Sequence, residues 1–170
     1  MVIEACAEAA QGEVVSAVNF NSPGQVVIAG AKAAVERAIE GCKARGAKRA
    51  LPLPVSVPSH CELMRPAAER FAESIAAINW QAPQIPLVQN VSAAVAADLD
   101  TLKRDLLEQL YKPVRWVESV QTLAANGATE LVECGPGKVL AGLNKRCADG
   151  VSTANLNTPD AFAAARAALA

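Results

Sequence analysis

A predicted β-hairpin followed by a helix restricts the fold more than any other part of the sequence. Residues 14–20 and 25–29 are rich in valine and other apolar residues, which predicts two strands. The tetrapeptide N-S-P-G between them (21–24) has the residues that turns favour. Helical spacing of apolar residues follows over 31–44, with Val35, Ile39 and Cys42 expected on one face, and a short helix is predicted before the hairpin, over 2–10. This α-β-β-α order is most of a split βαβ unit that lacks its opening strand.

The rest of the chain alternates predicted helices with short strands, which is typical of an α/β protein. Helices are expected over 63–78, 99–110, 117–125, from the Gly-Pro-Gly motif to residue 146, and from Pro159 onward. Strands are expected over 49–57, 85–91, 130–134 and 151–156. Prolines interrupt the first of these strands, so an edge or irregular strand is predicted there.

Composition and charge exclude several classes of protein. The chain is 52% hydrophobic but only 4% aromatic, so it has enough apolar residues for a core, and that core must be aliphatic. The net charge is −1 and no basic stripe is present, which argues against a nucleic-acid partner. No apolar run has the length of a membrane span, and the glutamate-bearing N-terminus does not resemble a signal peptide.

The cysteines favour a reducing, cytoplasmic setting. There are 5 of them, an odd number at wide spacings with no C-x-x-C pattern, which argues against a disulfide framework and against a metal site. Cys61 adjoins His60, but neighbours in sequence seldom point at each other usefully, so a Cys–His nucleophile pair receives little weight.

His60 is the only histidine, and it stands at a predicted strand-to-helix junction in V-P-S-H-C. A lone histidine is more often structural or exposed than catalytic, but such junctions are where α/β proteins place working residues. A catalytic imidazole needs one ring nitrogen held by a partner, which fixes its tautomer and aims the ring.

A main-chain carbonyl is a candidate for that partner. In a continuing helix the carbonyl of Gln109 would accept from the N–H of residue 113, but Pro113 has none. The oxygen is therefore free, and it lies at the negative end of a helix dipole, which favours a neighbouring imidazolium. The alternative is that Pro113 only ends the helix and water caps the carbonyl; spacing alone favours this alternative.

Four segments, in order and across nearly the whole chain, resemble the bacterial malonyl-CoA:acyl carrier protein transacylases. They are N-F-N-S-P-G-Q-V-V-I-A-G (19–30), P-V-S-V-P-S-H-C-E-L-M (54–64), Q-L-Y-K-P-V-R-W (109–116) and E-C-G-P-G-K-V-L-A-G-L (133–143). The resemblance implies part of an α/β-hydrolase-like acyltransferase fold into which a smaller ferredoxin-like subdomain is inserted. It also implies ping-pong transfer of malonyl from coenzyme A to a serine, and then to the thiol of acyl carrier protein, in fatty acid biosynthesis.

The resemblance implies a role for several residues. His60 matches the general base and acid, the main-chain carbonyl of Gln109 matches the group that orients it, and Ser59 matches a residue beside the malonyl carboxylate. Looser matches in the substrate pocket are Asn19, Asn21 and Val139. No cofactor is implied, because the coenzyme A thioester is a substrate.

The departures from the family pattern matter as much as the matches. No G-x-S-x-G occurs, so the serine nucleophile is absent, as are the G-Q-G-S-Q segment and the arginine that holds the malonyl carboxylate. We therefore expect the C-terminal portion of such an enzyme, inactive alone, with the missing N-terminal portion as a partner. Residues 1–56 would form the ferredoxin-like subdomain without its first strand, and 57–170 part of the larger subdomain. Alternatively, Met1 is not the true start.

Basic residues suggest where an acidic carrier protein would dock. Lys145 and Arg146, which end the helix after Gly-Pro-Gly, are favoured over a second cluster at Lys43, Arg45, Lys48 and Arg49. In both places a simple preference for basic residues at helix ends is the competing explanation. A function of a different class stays open: a non-catalytic ferredoxin-like module that binds an acidic carrier protein or coenzyme A.

Overall fold

The computed structural model describes residues 1–168, which form four strands and seven α-helices. In chain order they are α1 (Val2–Ala10), β1 (Val15–Ser22), β2 (Gln25–Gly30), α2 (Lys32–Ala44), α3 (Arg65–Ala76), α4 (Leu99–Glu108), α5 (Trp116–Ala125), β3 (Glu130–Glu133), α6 (Val139–Asn144), β4 (Ser152–Asn155) and α7 (Pro159–Ala168). A short 3₁₀ helix, Glu62–Met64, precedes α3, and Pro66 lies in the first turn of α3, where proline is tolerated.

The predicted hairpin is confirmed. β1 and β2 pair antiparallel, and the turn between them contains Gly24 at a φ of 77°, which suits glycine. The register shifts twice along β1, so Val18 and Asn21 have no partner residue in β2. These bulges leave the carbonyls of both residues available to other parts of the chain.

Helices α1 and α2 cover the hairpin with a core of small residues. This cluster consists of Cys6, Ala9, Val15, Ala34 and Ala38. The buried stripe of α2 is Ala34, Ala38 and Cys42, so the predicted face is confirmed at Cys42, while Val35 and Ile39 are only partly buried. Alanine at these positions lets the helices approach closely, and the larger Val35 packs at the margin instead.

The segment after α4 joins the hairpin. Val114 donates its N–H to the carbonyl of the bulge residue Val18 over 2.8 Å and accepts from the N–H of Phe20 over 2.9 Å. This short parallel bridge lies opposite Asn19 and extends the hairpin by one residue of a distant segment. It fixes the end of α4 relative to β1.

The C-terminal part is built around a second sheet, in which β3 and β4 pair in parallel. Asn144 at the end of α6 is buried and accepts from Trp116 Nε1 of α5 over 2.9 Å. The predicted helices and strands of this region are all present, with ends that differ by a few residues.

Two predicted strands, 49–57 and 85–91, were wrong. Residues 49–57 form no strand, and Leu51, Leu53, Val55 and Val57 are between 52% and 71% exposed. Prolines in and beside this segment lack the N–H that a ladder needs. In 85–91 the structure has one isolated bridge, from Val88 to Val95, and Ile85 is 79% exposed. Among residues 1–168, no helix is both long and apolar enough to cross a membrane.

Candidate functional site

His60 lies in the junction between the exposed 49–57 segment and the 3₁₀ helix, and it is half-buried. Its backbone has a φ of 65°, a left-handed conformation that is uncommon for residues other than glycine, although histidine, asparagine and aspartate adopt it more often than most. In this conformation its N–H donates to the carbonyl of Leu110, just beyond α4, over 2.9 Å. Strained backbone of this kind concentrates at functional sites, because surrounding contacts must hold it.

The imidazole of His60 contacts the end of the same helix. Nδ1 lies 2.6 Å from the main-chain oxygen of Gln109. A carbonyl oxygen can only accept, so Nδ1 must carry a proton in this contact. In the neutral ring the other nitrogen, Nε2, then has a free lone pair and can accept a proton from a substrate or a nucleophile.

Each of the two carbonyls that accept from His60 lacks its helical donor, for a different reason. Gln109 has no helical donor because residue 113 is proline, as the sequence indicated. Leu110 loses its helical donor because the N–H of Val114 is bonded to Val18 in the hairpin. The first cause is visible in the sequence, whereas the second depends on the tertiary fold.

The helix that presents these carbonyls is well formed. Asp98 caps the start of α4, where its Oδ1 accepts from the N–H of Thr101 over 2.7 Å. That hydrogen bond also lowers the pKa of the Asp98 carboxyl. The opposite end of α4, which carries the partial negative charge of the helix dipole, lies against His60.

Cys61 is not arranged as a nucleophile. It is 1% exposed, and its Sγ lies 3.2 Å from the carbonyl of Pro58. Burial raises the pKa of this thiol, so the thiolate that a nucleophile requires is disfavoured.

A cation–π contact beside His60 was not expected from the sequence. The guanidinium of Arg65 lies 4.1 Å from the ring centroid of Tyr111, and it also binds both carboxylate oxygens of Glu62, at 2.7 and 2.8 Å. This contact joins the start of α3 to the residue after Leu110. An arginine in a first helical turn and a tyrosine in Q-L-Y-K-P carry no signal that would have paired them.

The remaining predicted pocket residues occupy different surroundings. Asn19 is half-buried on β1, opposite Val114, and Asn21 is half-buried at the second bulge. Ser59, which directly precedes His60, is exposed. Val139 begins α6 with its side chain 71% exposed, so no pocket encloses it here. The structure therefore brings His60 and Gln109 into contact and places Asn19 near the same helix end, while the roles of all these residues stay predictions.

The two basic residues predicted to dock a carrier differ in their contacts. Lys145 and Arg146 are both exposed. The guanidinium of Arg146 donates to the carbonyl of Pro23 over 2.9 Å and to Oε1 of Gln25 over 3.2 Å. Arg146 is thus attached to the hairpin turn, 123 residues away in sequence.

The described residues contain no group of three or more histidine, cysteine, aspartate or glutamate side chains that could hold a metal ion.

The fold is the mixed α/β fold of the acyltransferases. The profile of the family described as "Acyl transferase domain" matches residues 2–163, and the chain belongs to this family. Within it, the chain is similar to curated malonyl CoA-acyl carrier protein transacylases. It is 57% identical to that of Escherichia coli (strain K12) over 164 residues, and 53% identical to that of Haemophilus influenzae over 161 residues.

Solved structures agree with this assignment of the fold. The malonyl-CoA:acyl carrier protein transacylase of Xanthomonas oryzae pv. oryzae superposes with a TM-score of 0.94 at 51% identity, covering 98% of this chain and 53% of that one. An acyl carrier protein S-malonyltransferase of Vibrio cholerae gives 0.93 at 55% identity, with 96% and 54% covered. The match to the E. coli relative covers 96% of this chain and 53% of the relative, so the chain spans about half the length of the curated relatives it matches.

Proposed function

We propose that this chain is the histidine-bearing part of a malonyl-CoA:acyl carrier protein transacylase of fatty acid biosynthesis. The observation that carries the proposal is the 2.6 Å contact between His60 Nδ1 and the carbonyl of Gln109. This contact supports a proton on Nδ1, which would leave Nε2 as the base. The division into a ferredoxin-like part (1–56) and a part of the larger hydrolase-like subdomain (57–170) belongs to the same proposal.

His60 would serve both halves of a ping-pong reaction. Nε2 takes the proton of a serine hydroxyl as its oxygen attacks the malonyl thioester carbon, and then gives that proton to the departing thiol of coenzyme A. In the second half, Nε2 takes the proton of the carrier-protein thiol and returns it to the serine oxygen as the ester breaks. During each step the Gln109 carbonyl would hold Nδ1–H and keep Nε2 aimed at the reacting groups.

The serine would come from outside these residues. The sequence has no G-x-S-x-G, so we propose that a nucleophile-bearing N-terminal portion completes the enzyme and that this chain is inactive without it. The exposed side chains of Leu51, Leu53, Val55 and Val57 support this, because a row of large apolar residues in contact with water is what an absent packing partner leaves behind. On its own the chain should bind the dye ANS and form oligomers detectable by light scattering.

The second substrate would be acyl carrier protein, docked on Lys145 and Arg146. One matched structure, at 51% identity, contains a type II polyketide acyl-carrier protein in complex with its malonyl-transacylase, which supports a carrier protein as the partner. Lys145 is exposed and free to meet an acidic surface. Ser59, Asn19, Asn21 and Val139 are the residues that we propose to line the malonyl and thioester site.

A chimera tests the proposal directly. The present sequence should replace the 164 matched residues of the E. coli relative, which supplies the remainder of the enzyme. The chimera should transfer labelled malonyl from coenzyme A to carrier protein, and His60→Asn in the chimera should abolish transfer. The unfused chain should acquire no hydroxylamine-sensitive label. Label on the unfused chain, or full transfer by the His60→Asn chimera, would contradict the proposal.

A second candidate is a module that binds carrier protein or coenzyme A without chemistry, and the absence of a nucleophile motif favours it. It predicts that the unfused chain binds carrier protein and that the folded chimera performs no turnover. Calorimetry with the chain and turnover by the chimera together separate the two candidates.

A further inference from the structure

Two consecutive residues after α6 hold the hairpin turn. The guanidinium of Arg146 donates from Nη2 to the carbonyl of Pro23 at 2.9 Å and from Nη1 to Oε1 of Gln25 at 3.2 Å. The Sγ of Cys147 lies 3.6 Å from the carbonyl of Asn21, which the second bulge of β1 leaves without a partner in β2. Cys147 is 5% exposed, so this attachment is at the edge of a packed interface.

The opposite end of α6 is fixed as well. The carboxylate of Glu133, at the end of β3, accepts from the N–H of Leu140 at 3.1 Å and from that of Ala141 at 2.8 Å. A short helix held at both ends cannot shift along its axis without breaking one of these sets of bonds. It therefore acts as a spacer between β3 and the hairpin turn.

The contacts of Arg146 depend on geometry more than on charge. Both of its acceptors are neutral oxygens, one of a main-chain carbonyl and one of a side-chain amide. They are reached by two different nitrogens of one planar guanidinium, which a lysine ammonium cannot imitate. Gln25 Oε1 also lies 3.4 Å from the hydroxyl of the buried Ser22, which holds the acceptor in place.

We propose that Arg146 is a positioning residue that sets the separation between the hairpin turn (21–25) and the Gly-Pro-Gly loop before α6. This inference rests on the proposed function, in which Asn19 and Asn21 of the hairpin and Val139 of α6 line the passage for a thioester arm. Arg146 would act through that spacing on both coenzyme A and the carrier protein, in addition to any docking role. A purely docking residue would affect the carrier protein alone.

Hydrogen–deuterium exchange of the 170-residue chain tests the attachment without requiring activity. Arg146→Lys keeps the charge but loses the paired guanidinium donors that reach Pro23 and Gln25. We expect amide exchange in residues 22–25 to rise roughly tenfold, because about one to two hydrogen bonds are lost. Lys145→Ala removes a neighbouring charge and should leave exchange there unchanged. Gln25→Ala, which removes one acceptor, should give a smaller rise in amide exchange. In the double variant, Arg146→Lys should therefore add less to the exchange rate than it does alone. Exchange in Arg146→Lys equal to that of the unchanged chain would overturn the proposal.

The chimera provides the functional readout. Arg146→Lys should lower kcat/KM for acylation by malonyl-CoA and for transfer to carrier protein by similar factors, measured at a temperature where the variant is fully folded. A loss confined to the carrier-protein step would overturn the positioning role and leave only docking. An inactive unsubstituted chimera would count against the proposed function, while the exchange experiment would still decide whether Arg146 holds the turn.

Discussion

The imidazole Nδ1 of His60 lies 2.6 Å from the main-chain oxygen of Gln109, 49 residues later in the chain. The oxygen is available because the residue that would otherwise donate an N–H to it is Pro113, and proline has no backbone N–H. A ring position, a tautomer and a proposed catalytic role therefore all depend on one missing N–H.

Replacing Pro113 with alanine should release the histidine ring. The new N–H of residue 113 can donate to the Gln109 oxygen and would then compete with Nδ1–H of His60 for this acceptor. With the ring neutral, nitrogen NMR should report the Nδ1–H tautomer in the unchanged chain and a mixture with Nε2–H in Pro113→Ala. Pro136→Ala, at an exposed proline far along the sequence, is the control. A variant that keeps the Nδ1–H tautomer would show that Pro113 is not the cause.

The left-handed backbone at His60 should invert the usual ranking of glycine and alanine. Both His60→Gly and His60→Ala lose the ring, but only alanine carries a Cβ, which costs about 1–2 kcal/mol at positive φ. We expect the glycine variant to be more stable in urea unfolding by about 1 kcal/mol. At ordinary positions glycine is the less stable of the two, so that usual order would argue against the φ of 65°.

Gly30 should tolerate no side chain. A Cβ there would lie 2.0 Å from the carbonyl oxygen of Val14 and 2.6 Å from the Cα of Val15, both backbone atoms that cannot rotate away. Gly30→Ala should therefore cost about 3 kcal/mol or more, or prevent folding of the hairpin. Gly135→Ala, where a Cβ meets nothing within 4 Å, should be close to neutral. Similar unfolding midpoints for the two variants would refute the close approach.

The thiols should separate into one reactive and four protected groups. Cys134 is exposed, whereas Cys6, Cys42, Cys61 and Cys147 are buried. Burial, reinforced by the nearby Cys42, raises the pKa of the Cys6 thiol to about 11. A raised pKa lowers the thiolate fraction at every pH below it, so iodoacetamide at pH ~8 should modify Cys134 alone in the folded chain. Mass spectrometry after brief labelling checks this, and rapid modification of Cys6 under native conditions would contradict it.

Raising the pH provides a second check on Cys6. In the unfolded chain this thiol ionises near its ordinary value, while in the folded chain it stays neutral until about pH 11. Its contribution to stability is therefore complete below the ordinary value and is lost as the pH rises through about 11. Cys6→Ser, whose hydroxyl does not titrate in this range, should show a weaker decline of Tm over the same interval.

Local chemistry in the sequence predicted the hairpin, the order of the helices and the availability of the Gln109 carbonyl. Each depends on residues close together in the chain, such as the turn at 21–24 or the segment from Gln109 to Pro113. The segments 49–57 and 85–91 were predicted as strands because their apolar residues indicate burial. Sequence patterns record that a side chain is apolar, but not which partner buries it.

Other features could not be predicted because they join distant segments. The hydrogen bond from Val114 to Val18 needs a bulge in β1. The two hydrogen bonds from Arg146 to Pro23 and Gln25 join residues that are more than a hundred positions apart. The buried stripe of α2 was predicted only at Cys42, because the rest of it depends on the partner helix. How closely two helices approach decides whether Ala34 or Val35 is buried, and that distance is a property of the folded pair.

The double hydrogen bond between Val114 and β1 links the motion of the histidine to that of the hairpin. The Leu110 carbonyl accepts from the main-chain N–H of His60, and the N–H of Val114, which would compete for that carbonyl in a continuing helix, is bonded to Val18 instead. A displacement of the hairpin would release this competing donor and loosen the backbone of His60. The main chain of His60 is thus connected to the hairpin through Leu110 and Val114. A partner that displaces the hairpin would therefore also displace the carbonyl that holds the main chain of His60.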